Sequence, residues 1–222
     1  MNLTTMTFDL KDHIATITLN RPDAANALNL TMSQDLLTVA SRCDSADVRA
    51  VILTAQGKMF CAGGDVLSFA AAGAGVTELM RNMTAFLHSA ISRFARMNAP
   101  LITAINGTAA GAGLSMALTG DIILAAASAK FTMAYTKIGV SPDGSSTFFL
   151  PRLVGIAKAK EMILLNPVYS AEEAKTHGLV TEVLADDALM ARANALAQQL
   201  AAGPTAAYGE TKRLLADTFS NS

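Results

Sequence analysis

The chain has 222 residues, 51% of them apolar and 16% charged, with a formal net charge of −1. That length carries one substantial core, the composition is too apolar for a disordered chain, and no basic footprint for nucleic acid is present. Cys43 and Cys61 make no disulfide framework, and the opening MNLTTMTFDLKD has neither the basic start nor the apolar run of a secretory signal, so a cytoplasmic protein is expected.

In chain order, MTFDLKDHIATITL reads as a β-hairpin with Lys11 and Asp12 at its turn. Strand-like runs recur at IATITL, AVILTA, LITAIN and DIILAA, with helical patterns between them. LTMSQDLLTVASRC and LMRNMTAFLHSAISRFARM place apolar residues at helical spacing. Residues 97–120 carry no charge, a length that would cross a bilayer, but Pro100, Asn106 and four glycines interrupt them. They read as a buried strand, a glycine turn and a buried helix, not as a membrane span. Beyond residue 143 the chain reads mostly as helix, through STFFLPRLVG and AKAKEMILL. YSAEEAKTHG offers Ser170 as an N-cap, Glu173 as its capping-box partner and Gly178 as a C-cap. GLVTEVL reads as a strand, DDALMARANALAQQLAA as a helix, and PTAAYGETKRLLADTFSNS as the start of another helix. Alternation of this kind predicts an α/β fold with covered sheets.

Two glycine loops are placed to do chemistry: FCAGGDV at 60–66 and NGTAAGAGLSMAL at 106–118. Each follows an expected strand and leads toward an expected helix, where unpaired backbone N–H groups stabilise developing negative charge. Neither loop carries the G-x-G-x-x-G or G-K-[ST] signature of a nucleotide site. No His, Cys, Asp or Glu grouping has metal-ligand spacing, so no metal is expected.

NRPDAANALN (20–29), FCAGGD (60–65), INGTAAGAGLSMAL (105–118) and SAEEAKTHGLVTEV (170–183), in this order along nearly the whole chain, resemble the crotonase superfamily, the enoyl-CoA hydratase/isomerase family. The resemblance implies a spiral of ββα units with helices packed around it. A crotonase core would occupy residues 1–200, and 201–222 would begin a C-terminal helical region that is otherwise truncated or missing. It also implies acyl-CoA substrates and a homotrimer or dimer of trimers, with no nucleic-acid or membrane partner and no cofactor beyond the coenzyme A of the thioester itself. The two N–H groups that hold the thioester oxygen as it becomes an enolate fall on Gly64 and Ala112, the second an alanine where many relatives have glycine.

What moves the proton is less uniform in that family. Hydratases resemble one another in using two glutamates to add water, and those positions hold Ser115 and Tyr135 here. Asp143, in YTKIGVSPDGSS, falls where isomerases of the 1,2-epoxyphenylacetyl-CoA type and 4-chlorobenzoyl-CoA dehalogenases carry an aspartate. The expected activity is therefore a double-bond shift by proton transfer through Asp143, with Ser115 and Tyr135 lining the pocket. Phe69, Phe148 and Phe149 would complete an apolar surrounding. An Asp143-dependent dehalogenase or hydrolase remains open, as do an enoyl-CoA hydratase and a non-catalytic acyl-CoA-binding relative. The chain has no tryptophan, and Tyr135 stands where the dehalogenase branch has one, which counts against dehalogenation. His88 is expected near the substrate, more often a structural residue than a catalytic one on such a helix. For coenzyme A, the resemblance points to backbone at Ala27 and Ala62. Ala24 and Ala25 stand where relatives often carry a phosphate-binding cation, with Arg21 nearby.

Overall fold

The computed structural model describes residues 1–218, and its chain alternates strands between two sheets. The strands are β1 (Met6–Lys11), β2 (Ile14–Leu19), β3 (Ala50–Ala55), β4 (Met59–Cys61), β5 (Leu101–Ile105), β6 (Thr108–Ala110), β7 (Ile122–Ala126), β8 (Lys130–Thr132), β9 (Tyr169–Ser170) and β10 (Glu182–Leu184). A six-stranded sheet runs β1-β2-β3-β5-β7-β10, and a four-stranded sheet runs β4-β6-β8-β9. Both are parallel except at β1–β2 and β8–β9.

The helices are α1 (Leu30–Cys43), α2 (Val66–Ala72), α3 (Val76–Arg96), α4 (Ala112–Ala117), α5 (Ser146–Val154), α6 (Ile156–Leu165), α7 (Ala171–Thr176), α8 (Leu189–Ala201) and α9 (Thr205–Asp217). The repeat is now visible. β3, β4 and α2 make one ββα turn, and β5, β6 and α4 make the next. β7 and β8 lead into a short 3₁₀ helix at Tyr135–Ile138 and then α5. In each turn the first strand joins the large sheet and the second joins the small one. This is the crotonase-type α/β spiral.

The central strands of the large sheet are covered on both faces. β3 is buried at all six positions, and its alternation divides the core. Ala50 and Ile52, with Ile102, Ala104, Leu124 and Ala126, pack under Leu189, Ala193, Ala197 and Ala201 of α8. Those α8 residues are four apart, one stripe of mostly small side chains that lets helix and sheet approach closely. Val51 and Leu53 face the opposite way, into the main core with α1 and α3. Strands so enclosed read as continuous apolar runs, which is why AVILTA and LITAIN stand out in the sequence.

Several local expectations change. The hairpin turn is Asp12–His13, both left-handed (φ 51° and 65°), and Lys11 is still paired with Ile14; the two-residue turn matches the right-handed twist of the strands. GLVTEVL contributes only Glu182–Leu184 as strand. Residues 97–120 form β5, β6 and the six-residue α4, and among the described residues no helix is long and apolar enough to cross a membrane. The capping box at Ser170 and Glu173 forms, and Gly178 (φ 83°) closes α7 just past its end. α9 docks on the core through Lys212, whose ammonium meets Asp121 at 2.8 Å and the carbonyls of Phe94 and Ala99. The last four residues of the expected final helix lie outside the described residues.

Cys43 and Cys61 are both buried, and burial pushes each thiol up to about 12. With no thiolate available, the native protein should leave both unreactive toward an aromatic disulfide reagent near pH 8, and unfolding should release two thiols. Rapid titration of a thiol without denaturant would contradict this burial.

Candidate active site

The small sheet builds the site. β4, β6 and β8 run parallel and neighbour one another, so their carboxyl ends share an edge. Gly64, Ala112 and Tyr135 each lie two or three residues beyond those ends. Each is preceded by a left-handed residue that swings the chain out of the ladder: Gly63 (φ 99°), Gly111 (φ 53°) and Ala134 (φ 54°). Three successive turns of one spiral therefore deliver three functional groups to one place, outside the carboxyl ends of parallel strands where open α/β sheets bind ligands.

Gly64 and Ala112 keep their N–H groups unpaired for different reasons. Gly64 bridges Leu28 in parallel fashion, but the bonds are made on either side of it: the Leu28 N–H donates to the Gly63 carbonyl (2.7 Å), and the Asp65 N–H to the Leu28 carbonyl (2.8 Å). Ala112 is the first residue of α4 and has no intrahelical acceptor. Among the described residues neither N–H has a partner. The two loops touch, since a methyl group placed on Gly63 would stand 3.4 Å from the Ala112 nitrogen. Gly113 makes the helix approach possible, because a β-carbon there would fall 2.3 Å from the Cys61 carbonyl. Two donors at one spot, one of them at a helix N-terminus, are the arrangement that holding a negative oxygen requires.

The cavity in front of them has a volume of about 380 Å³. Gly64, Ala112, Ala62, Phe69, Tyr135 and Asp143 line it, as the sequence led us to expect. Asp143 is the one carboxylate in its wall among the described residues. Its Oδ1 accepts from the Tyr135 hydroxyl at 2.6 Å. Burial first, and then the Asp143 carboxylate beside it, push the Tyr135 phenol well above its ordinary range, so it stays a donor.

Ser115, expected in the pocket wall, is fully buried one layer behind: its hydroxyl meets the Tyr135 oxygen at 2.7 Å and does not line the cavity. The Asp143 loop closes over it, since a β-carbon on Gly144 would fall 3.0 Å from the Ser115 β-carbon. Because the phenol donates to Asp143, Ser115 is the donor in that pair. Phe148 and Phe149 are also misplaced by the sequence reading. They line a separate cavity between α3, α5 and α9. His88, on the exposed side of α3, does not line the pocket but lies behind Asp143, its Nε2 at 3.5 Å from Oδ2. Ala27 is outside the lining, and its carbonyl accepts from the Arg21 guanidinium. Arg21 is turned inward, with Asp65 at 3.0 Å, and ties the 20–29 loop to the first oxyanion loop.

The apolar walls supplied by α3, Met80, Met83 and Leu87, are missing from the sequence-based site. Their signal was present, since they follow helical spacing on one face of α3, but the same stripe serves any core helix.

Replacing Tyr135 with Phe keeps the ring and removes the hydroxyl that orients Asp143. The expected result is a roughly tenfold loss in kcat with acyl-CoA affinity unchanged, measured by steady-state kinetics and equilibrium binding. An unchanged kcat would show that the 2.6 Å bond does not orient Asp143 for turnover.

The sequence model of the family described as enoyl-CoA hydratase/isomerase matches residues 9–222. The 1,2-epoxyphenylacetyl-CoA isomerase of Escherichia coli is 38% identical over 210 residues, covering 94% of this chain and 80% of that protein. The 4-chlorobenzoyl coenzyme A dehalogenase-2 of an Arthrobacter species is 35% identical over 211 residues, covering 94% of this chain and 76% of that protein. The crystal structure of an enoyl-CoA hydratase from Bacillus anthracis superposes with a TM-score of 0.91 at 31% identity, over 99% of this chain and 85% of that one. A match spanning the two glycine loops, the spiral that carries them and the Asp143 loop makes this chain a member of the enoyl-CoA hydratase/isomerase family, within the crotonase superfamily.

Proposed function

We propose that this protein is an acyl-CoA isomerase that shifts a carbon–carbon double bond by proton transfer through a thioester enolate. The observation that carries this reading is the single carboxylate, Asp143, in a largely apolar cavity that also contains the two free N–H groups of Gly64 and Ala112. Asp143 takes a proton from the acyl chain, the electron pair moves toward the thioester oxygen, and the two N–H groups hold the resulting negative charge. The same carboxyl returns a proton at the other end of the allylic system. One base suffices for this sequence. Hydration would need a second acid–base group to activate water, and Ser115 and Tyr135 supply no carboxylate. The 1,2-epoxyphenylacetyl-CoA isomerase among the relatives supports the same reading.

Product mass tests it. Incubation with a 3-enoyl-CoA should give a conjugated product of unchanged mass. A product heavier by one water would establish hydration, and no product at all would leave only binding.

A further inference from the structure

The two oxygens of Asp143 have different neighbours. Oδ1 is held by the Tyr135 hydroxyl at 2.6 Å, which leaves Oδ2 to carry an abstracted proton. Oδ2 faces His88 Nε2 at 3.5 Å. The same nitrogen accepts the Gly144 N–H at 3.2 Å, so in the neutral ring Nε2 carries a lone pair and the proton is on Nδ1. A lone pair facing a carboxylate gains nothing. Facing a carboxylic acid, it accepts a hydrogen bond, shared with or taken over from the Gly144 N–H. The arrangement therefore matches Asp143 after it has taken a proton from substrate. The His88 side chain is 47% exposed against 28% for Asp143, so a proton passed to the ring is within reach of water.

We propose that His88 is the outlet through which the proton held by Asp143 exchanges with solvent, and so sets whether the migrating proton is retained or replaced during turnover. This rests on the role of Asp143 as base argued above. The step balances. The substrate C–H bond breaks with its electron pair going to the enolate, and the proton bonds to Oδ2. It then moves to Nε2, whose lone pair gives up the Gly144 N–H as the imidazolium forms, and a solvent proton returns to Oδ2 as the ring is restored to neutrality and the Gly144 bond re-forms. No oxidant or further reactant is involved. His88 acts through Asp143 and does not touch the substrate.

The test uses His88→Gln, whose side-chain amide can accept from Gly144 N–H and donate to Oδ2 but cannot take up a proton. Two assays are run in D2O on the wild type, His88→Gln and Asp143→Asn. The first measures deuterium entering the α-carbon of a saturated acyl-CoA by mass spectrometry, and the second measures isomerisation of a 3-enoyl-CoA. Deuterium entry should fall by about 10²-fold in His88→Gln, because internal return of the original proton takes over. Isomerisation should continue, with less solvent deuterium in its product. Asp143→Asn should lose both. Equal deuterium entry in wild type and His88→Gln, or none in the wild type, overturns the proposal. His88-dependent deuterium entry without isomerisation would sustain the outlet and refute the isomerase reading instead.

Discussion

Asp143→Asn should abolish isomerisation while leaving acyl-CoA binding within a few-fold of wild type. Asparagine has the shape of aspartate, and its side-chain oxygen can still accept the Tyr135 hydroxyl that Oδ1 now accepts at 2.6 Å. What it lacks is affinity for a proton. General acid–base catalysis by a positioned side chain contributes about 10²–10⁴-fold. Where the same group both removes and returns the proton, the loss should lie at the upper end, roughly 10⁴-fold. The cavity walls are untouched, so titration with an unreactive saturated acyl-CoA should give an affinity close to wild type. Retained turnover in a well-folded variant would remove Asp143 from the chemistry and leave it as a turn residue between Pro142 and Gly144.

Ala112→Pro should be the second large effect: it deletes a backbone donor and sets the ring Cδ in the place of its hydrogen. Ala112 is the first residue of α4, where proline is well tolerated because the missing N–H has no helical partner. Gly111 before it has φ 53° and ψ −129°, outside the right-handed helical region that a following proline disfavours. Ala112 lines the cavity, so the substitution removes one donor from the oxyanion hole at the surface where the thioester would lie. Loss of one such donor costs about 10²–10³ in kcat. Circular dichroism and thermal melting should stay near wild type. A variant that turns over within threefold of wild type would mean that the enolate is held elsewhere.

The two halves of the fold were unequally legible in the sequence. AVILTA, LITAIN and DIILAA announce β3, β5 and β7 because strands enclosed on both faces of a large sheet are nearly continuous apolar runs, whereas IATITL announces β2 by alternation, with Ala15, Ile17 and Leu19 buried and the residues between them half-buried. The sheet that carries the site was not visible. β4, β6 and β8 have three residues each and β9 has two, too few to show a period of two, and β6 lies inside a stretch that reads as a glycine loop. Gly64, Ala112 and Asp143 could be marked from their motifs. That Tyr135 emerges from the third equivalent turn could not be, because Ala134 holds there the positive φ that glycine holds in the other two. Ser115 was placed one layer too far forward. Its setting depends on the Tyr135 hydroxyl and Gly144, which cover it, and both come from a loop 20 residues and more away in sequence.

The most direct test offers the wild-type protein two substrates and follows conjugated-thioester absorbance. With a 3-enoyl-CoA the absorbance should rise as the double bond moves into conjugation. With a 2-enoyl-CoA of the same length it should not fall by addition of water. A fall with the second substrate and no rise with the first would contradict a one-carboxylate isomerase and make this cavity a hydration site.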